Sequence, residues 1–301
     1  MTKRVLVMGA TGFIGRHALQ PLIERGFEVH GVYHNKPLDD GISWHQVDLF
    51  AAEAVEALCK EVNATHLLHF AWIATPGVFW TSPENDRWKA ATIGLVRSFQ
   101  KNGGTRVVAA GTCAEYDWSK ADSPLGENAP CDPSTPYGKA KHETRIALEE
   151  FAKNAAMSFG WGRIFFLYGP HEPPSKFVAY IVSGLLARRK ALLSHGEQER
   201  DFLYVQDVAD AFAALLDSDV QGAVNIASGK PIKLKDLALE IALQLGMEDL
   251  LLFGAREAPG SEPPRLVANT TRLREEVGFV KYTTLQKGIE ETIRWWQSQK
   301  E

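Results

Sequence analysis

A chain of 301 residues with 45% hydrophobic content is long enough to bury a substantial core, so it needs neither disulfides nor a structural metal to hold it. A formal charge of -4, with Lys and Arg scattered along the chain, excludes a nucleic-acid footprint and a polybasic membrane patch, and points to a small-molecule partner. Cys59, Cys113 and Cys131 lie far apart without metal-ligand spacing, which predicts no metal site and fits a reducing cytoplasm.

Short apolar runs alternate with helix-like stretches from the start of the chain. Residues 4–8 read as a strand, 12–25 as a helix and 27–33 as a second strand. A strand over 43–47, a helix over 51–62, a strand over 66–70, a helix over 82–101 and a strand over 106–110 continue the series. This alternation predicts an α/β fold with a doubly wound parallel sheet. Residues 119–136, rich in Pro, Asp and Ser, predict a surface loop at the rim of a site. A helix over 135–156 and a strand over 162–167 follow, running into Tyr168-Gly169-Pro170. Beyond that, Pro173, Pro174 and the prolines between 259 and 264 break the chain into shorter pieces. Residues 234–245 and 285–296 keep helical spacing, which predicts a smaller, mixed α/β lobe. The run after Lys3 and Arg4 is too short for a secretion signal, and no apolar run approaches the roughly 20 residues of a membrane span. A soluble, cytoplasmic protein is expected.

Gly9-Ala10-Thr11-Gly12-Phe13-Ile14-Gly15 sits directly between the first strand and the first helix. Glycines there let the backbone approach a pyrophosphate while the helix N-terminus offers oriented N–H groups, so Gly9, Thr11, Gly12, Phe13, Ile14 and Gly15 are candidate dinucleotide contacts. The expected organisation is a dinucleotide-binding Rossmann domain over 1–168, with 201–227 returning to it, and a substrate lobe over most of 169–301. The second strand ends Tyr33-His34-Asn35-Lys36, without the carboxylate that would bind the adenosine ribose of NAD. His34 and Lys36 suit a 2′-phosphate instead, so NADP is expected, with NAD as the alternative. Asp48 and Leu49 are placed for the adenine edge. Tyr137 and Lys141, four apart on one helix face, bring a phenol and an ammonium to the same point. The ammonium favours phenolate, which suits the phenol to exchange a proton with a carbonyl or alcohol oxygen.

With the glycine turn, these residues make the chain resemble the extended short-chain dehydrogenase/reductase family, in particular its sugar-nucleotide epimerases, dehydratases and reductases. Further landmarks are His69-Phe70-Ala71-Trp72, the 111–116 segment, 163–170 and Arg200-Asp201-Phe202-Leu203-Tyr204-Val205. The resemblance implies that Thr112 binds the substrate oxygen, that Tyr137 is the acid and that Lys141 tunes it. It also implies that Phe70, Ala71, Trp72, Ala110, Phe165 and Tyr168 border the cofactor. Family dehydratases carry an Asp-Glu pair after the Thr; Cys113-Ala114 stand there, and Glu115, one place later, is expected to face the other way in an extended strand. Cys113 and His171 half reproduce the Cys and His of the GDP-fucose synthase branch, which keeps a combined epimerase/reductase open.

The leading expectation is NADPH-dependent reduction of a 4-keto sugar nucleotide, with an NAD-dependent 4-epimerase as the alternative. A cofactor-sensing regulatory protein would have lost Tyr137 or Lys141, and both are present. Arg200 is expected at the substrate diphosphate, with Arg265, Lys176 and Phe177 as further candidates. Phe166 replaces a family asparagine, and Ala258 stands where an arginine is common; both departures leave the nucleotide base open, with Arg256 or Arg265 as compensation. Trp72 and the 73–80 loop are candidates for the sugar pocket. A homodimer through the helices at 82–101 and 135–156 is expected.

Overall fold

Strands covered by helices on both faces read as near-continuous apolar runs, and in the first strand Val5, Leu6, Val7 and Met8 are all buried. The computed structural model describes residues 3–38, 41–120, 124–257 and 263–299. In chain order the elements are β1 (Lys3–Met8), α1 (Gly15–Glu24), β2 (Phe27–Tyr33), β3 (Ser43–Gln46), α2 (Ala52–Val62), β4 (His66–His69), α3 (Glu84–Lys101), β5 (Arg106–Thr112), α4 (Pro136–Asn154) and β6 (Ser158–Ile164). There follow β7 (Phe166–Tyr168), α5 (Phe177–Leu186), β8 (Ala191–Leu192), β9 (Glu199–Tyr204), α6 (Val205–Leu216), β10 (Gly222–Ile226) and β11 (Pro231–Lys233). The chain ends with α7 (Leu234–Leu245), β12 (Leu251–Leu252), β13 (Arg265–Leu266), α8 (Thr271–Glu275) and α9 (Leu285–Ser298).

Seven parallel strands form one sheet in the order β10-β6-β5-β4-β1-β2-β3. The order reverses between β1 and β4, and in such a sheet ligands bind outside the carboxyl ends of the strands at that reversal. One apolar cluster, with Val5, Val7, Leu19, Leu22, Val208 and Phe212, joins the sheet to α1 and α6. A second, with Leu6, Met8, Leu58, Leu95, Phe99 and Leu148, joins the opposite face to α2, α3 and α4. Each large side chain so enclosed contributes on the order of 1.5–3 kcal/mol.

The smaller lobe is built around β9, which pairs with antiparallel β11 and with parallel β13 and β7. Beside it lie the β12-β8 pair and a core of α5, α7 and α9 residues that includes Val182, Ile241 and Ile289. Within 201–227, α6 and β10 belong with the large sheet, whereas the β9 residues belong to the small one. The strand expected over 162–167 divides in two. Residues up to Ile164 pair with β5 and β10, and after Phe165 the chain pairs with β9. Apolar residues continue from Ile164 through Leu167, so nothing in the pattern marks such a change of sheet. The first helix begins at Gly15, since 9–14 are occupied by the turn itself. Among the described residues no helix is long and apolar enough to cross a membrane.

Candidate active site

The glycine turn lies at the reversal of strand order. Gly9 has φ +77°, and a Cβ there would stand 2.8 Å from the Ala71 nitrogen; a Cβ on Gly15 would stand 2.1 Å from the Gly9 carbonyl oxygen. Neither position admits a side chain, so the turn keeps the bare backbone that a pyrophosphate needs at the head of α1, and it fits a dinucleotide. Ala71, from the His69-Phe70-Ala71-Trp72 stretch, therefore walls the turn, while Phe70 packs edge-on against Phe212 with centroids 5.0 Å apart. Thr11, Phe13 and Ile14 are half-buried in the same turn. His34 and Lys36 are exposed beyond β2. Asp48 accepts the Phe50 N–H at 3.0 Å, a local turn bond, and Leu49 is buried.

Thr112 closes β5 and Tyr137 enters on the first turn of α4, where Thr135 accepts the Gly138 N–H at 3.1 Å and Pro136 supplies a preset first residue. The Thr112 side chain stands beside the Tyr137 hydroxyl and pulls its pKa down against a larger upward push from burial. Lys141, one turn along α4, is 4% exposed and donates to the Ala110 carbonyl at 3.0 Å. Its ammonium lies 3.9 Å from the centre of the Trp72 ring, and Trp72 is pinned by its own donation to Asn85 at 2.9 Å. Burial lowers the Lys141 pKa to about 7, with Glu115 acting in the opposite sense. Thr112, Tyr137 and Lys141 thus come together at the carboxyl end of β5. The 73–80 loop covers them: Phe79 and Trp80 pack edge-on against Tyr137 at 4.8 and 5.5 Å, and Tyr137 N–H donates to the Trp80 carbonyl at 3.2 Å.

Glu115 faces away from this point, for a different reason from the one the sequence suggests. Residues 113–115 form a 3-10 turn capped by Thr112, and the carboxylate accepts Thr112 N–H (2.9 Å), Trp161 Nε1–H (2.8 Å) and Arg163 Nε–H (3.2 Å). Tyr116 donates to Asn225 at 2.7 Å and belongs to the core.

Cys113 and His171 are not brought together as an acid–base pair. Cys113 is enclosed with Tyr116, Leu125, Phe165 and Ala227, and burial pushes its thiol up to about 12. His171 is exposed, contacts Arg16 and Trp295, and has its pKa pushed down to about 4, first by desolvation and then by Arg16. Tyr168, expected at the cofactor, is instead in the small lobe's core, its hydroxyl 3.4 Å from the Leu285 carbonyl and its ring against Gly288. A tyrosine at the end of β7 follows that strand into the small sheet.

Arg200 is 1% exposed, donates to the Glu199 carbonyl at 2.9 Å and lies 5.5 Å from the Phe166 ring centre. Asp201 is committed elsewhere, accepting from Ser228, Gly229 and Ala268. Arg265 pairs with Glu199 at 3.3 Å on the surface, and Phe177 packs beside Phe202 in the lobe core. Arg256 reaches the Tyr180 hydroxyl at 3.3 Å, and Ala258 lies outside the described residues. Lys176 stands 5.0 Å from the Phe79 ring centre, which brings it to the cover of Tyr137. Two buried or bridging residues near the site escape sequence reasoning. Glu172 is 5% exposed, is raised to about 8 by burial, and accepts the Ala179 N–H at 3.1 Å. Arg16 braces the glycine turn through the Thr11 carbonyl at 2.8 Å, and its place beside Gly15 is the signal that could have found it.

A family model described as the NAD dependent epimerase/dehydratase family matches residues 5–227. UDP-glucuronic acid decarboxylase 1 of Xenopus tropicalis is 25% identical over 313 residues, covering 99% of this chain and 73% of the relative. The dTDP-6-deoxy-L-talose 4-dehydrogenase (NAD(+)) of Aggregatibacter actinomycetemcomitans is 27% identical over 246 residues, covering 77% and 86%. Among solved structures, the UDP-N-acetylglucosamine 4-epimerase from Methanobrevibacter ruminantium M1, in complex with UDP-N-acetylmuramic acid, is 25% identical, with a TM-score of 0.87 and 99% of both chains covered.

Proposed function

The chain belongs to the NAD dependent epimerase/dehydratase family, and from that premise we propose that it is an NAD-dependent 4-epimerase of a nucleoside-diphosphate sugar. The observation that carries this reading is the convergence of Thr112, Tyr137 and Lys141 while Cys113-Ala114 replace the acid pair and Glu115 is spent on Trp161 and Arg163. One proton-handling phenol at one sugar oxygen supports reversible oxidation of a single carbinol, whereas loss of water needs a further acid and base. A bound NAD would supply a reversible hydride acceptor for that carbon. Tyr137 takes the hydroxyl proton on oxidation and gives it back on reduction. Thr112 holds the same oxygen, and the Lys141 ammonium, when charged, favours the phenolate. Inversion follows when the ketosugar turns over between the two transfers, and no cofactor is consumed.

The three relatives above are all named for nucleotide sugars, which supports the substrate class. The dehydrogenase is named for NAD(+), which favours NAD over the NADP expected from His34 and Lys36. A second reading, NADPH-dependent reduction of a 4-keto sugar nucleotide, is favoured by one observation, the end of β2 without a carboxylate. Incubating UDP-hexoses with the protein and catalytic NAD separates the two. Conversion to the C4 stereoisomer by NMR, with nicotinamide absorbance unchanged, is expected; stoichiometric oxidation of NADPH by a 4-keto sugar nucleotide would establish the reductase instead. Pairing of two copies through α3 and α4, where Ile146 is 47% exposed, is part of this proposal, and a monomer in light scattering would refute it.

A further inference from the structure

The 169–176 loop, which leads from β7 to α5, is fastened to the cofactor side of the molecule. His171 within it has φ 69°, a left-handed backbone that a non-glycine residue adopts at a cost. Arg16 Nη1 lies 2.7 Å from its Nδ1 and 3.1 Å from its Nε2, and its ring packs on Trp295 with centroids 4.6 Å apart. The next residue on α1, His17, places Nε2 3.3 Å from the Pro170 carbonyl oxygen. Arg16 holds the glycine turn with its other nitrogens: Nη2 donates to the Thr11 carbonyl at 2.8 Å and Nε to the Gly12 carbonyl at 3.3 Å. One guanidinium therefore bridges the turn that fits a pyrophosphate and the loop that enters the substrate lobe. Glu172, directly after His171, accepts from Ala179 in the first turn of α5, and Lys176 at the far end of the loop reaches Phe79 over Tyr137.

We propose that Arg16 and His171 are positioning residues, a strut that passes dinucleotide binding at 9–15 to the 169–176 loop and so sets Lys176 and Phe79 over Tyr137. The proposal deepens the reading above and rests only on its dinucleotide part. A ring held neutral at ordinary pH is an acceptor for Arg16, and the depressed His171 pKa agrees with that role. The left-handed backbone separates contact from strain. His171→Asn tolerates that conformation and keeps a side-chain acceptor, whereas His171→Gly takes the conformation freely and removes the acceptor.

Amide hydrogen exchange on the whole chain, with and without NAD, tests it. In the wild type and in His171→Asn, NAD should slow exchange both at 9–15 and at the loop amides of 171, 172, 175 and 176. In His171→Gly the slowing at 9–15 should persist and that of the loop should vanish. NAD-dependent protection of the loop retained in His171→Gly overturns the strut, as does its absence from the wild type. If NAD protects neither segment of the wild type, the cofactor reading falls and the strut with it.

Discussion

Glu115 and Arg163 form an enclosed ion pair, Oε2 to Nε 3.2 Å, with side chains 0% and 2% exposed. The pair stands behind the Thr112 turn, and the same carboxylate holds the Thr112 N–H and the Trp161 indole. Its position next to the reacting residues is thus structural, and the turn that presents Thr112 depends on it.

Removing one partner of such a pair leaves a buried charge uncompensated, at a cost of about 3–5 kcal/mol. Glu115→Ala should lose that much stability in urea denaturation. Glu115→Gln, which keeps an acceptor oxygen, should lose less and retain kcat within about tenfold in its folded form, because a lost general base costs more than that. A folded Glu115→Gln protein with kcat reduced by three orders of magnitude would make the carboxylate a proton carrier.

Tyr137→Phe removes the phenol that exchanges the proton while leaving the ring against Phe79 and Trp80. Turnover should fall by about 10²–10⁴, with NAD affinity nearly unchanged by calorimetry. Retained turnover would take Tyr137 out of its assigned role.

The sheet was legible because its strands are apolar runs set off by a glycine turn and helical spacing, and the pairing of Tyr137 with Lys141 was legible from their separation on one helix. Other features were not, for physical reasons. Ile164, Phe166 and Leu167 are apolar on either side of Phe165, so periodicity does not mark where the chain leaves one sheet for the other. In α6 the polar residues are confined to Gln206, Asp207 and Asp210, and every residue from Ala211 to Leu216 is buried, which leaves little of the polar face by which a helix is recognised. His171 stands out in the sequence only for its resemblance to the histidine of the GDP-fucose synthase branch, and its contacts with Arg16 and Trp295 join segments far apart in the chain, which no local motif shows. Glu172 carries no sequence signal at all; only the burial of its own side chain within a partly exposed loop distinguishes it from a surface glutamate.

Lys141 is expected to cost stability for the sake of chemistry. Its pKa is lowered to about 7 in the fold, against about 10.4 in an unfolded chain. Burying the charged form is therefore unfavourable; the penalty is present in full below about pH 7 and is relieved as pH rises from there toward about 10.4. Lys141→Met, of similar length and without the ammonium, should melt at a higher temperature than the wild type at pH 6–7, with the difference shrinking up to pH 10. Turnover should be lost in the same variant. A lower melting temperature at pH 6 would mean that the bond to Ala110 and the contact with Trp72 outweigh the burial of the charge.

Two glycines inside helices should respond oppositely to the same added methyl. At Gly15, the first residue of α1, a Cβ would meet the Gly9 carbonyl oxygen at 2.1 Å and the Ala10 Cα at 2.9 Å, both backbone atoms that cannot rotate away. Gly15→Ala must push the turn open, so it should weaken NAD binding by at least about tenfold and destabilise the chain by roughly 1–3 kcal/mol. At Gly184, within α5, a Cβ would meet nothing within 4 Å. Gly184→Ala gains helix propensity and gives up unfolded-state entropy, for a stabilisation of about 0.4–1 kcal/mol, with NAD binding untouched. Urea denaturation and NAD calorimetry on the pair read both effects. A Gly15→Ala protein that binds NAD as the wild type does would mean that the turn can yield without losing its cradle, and the closeness of α1 to Gly9 would no longer explain why that position is glycine.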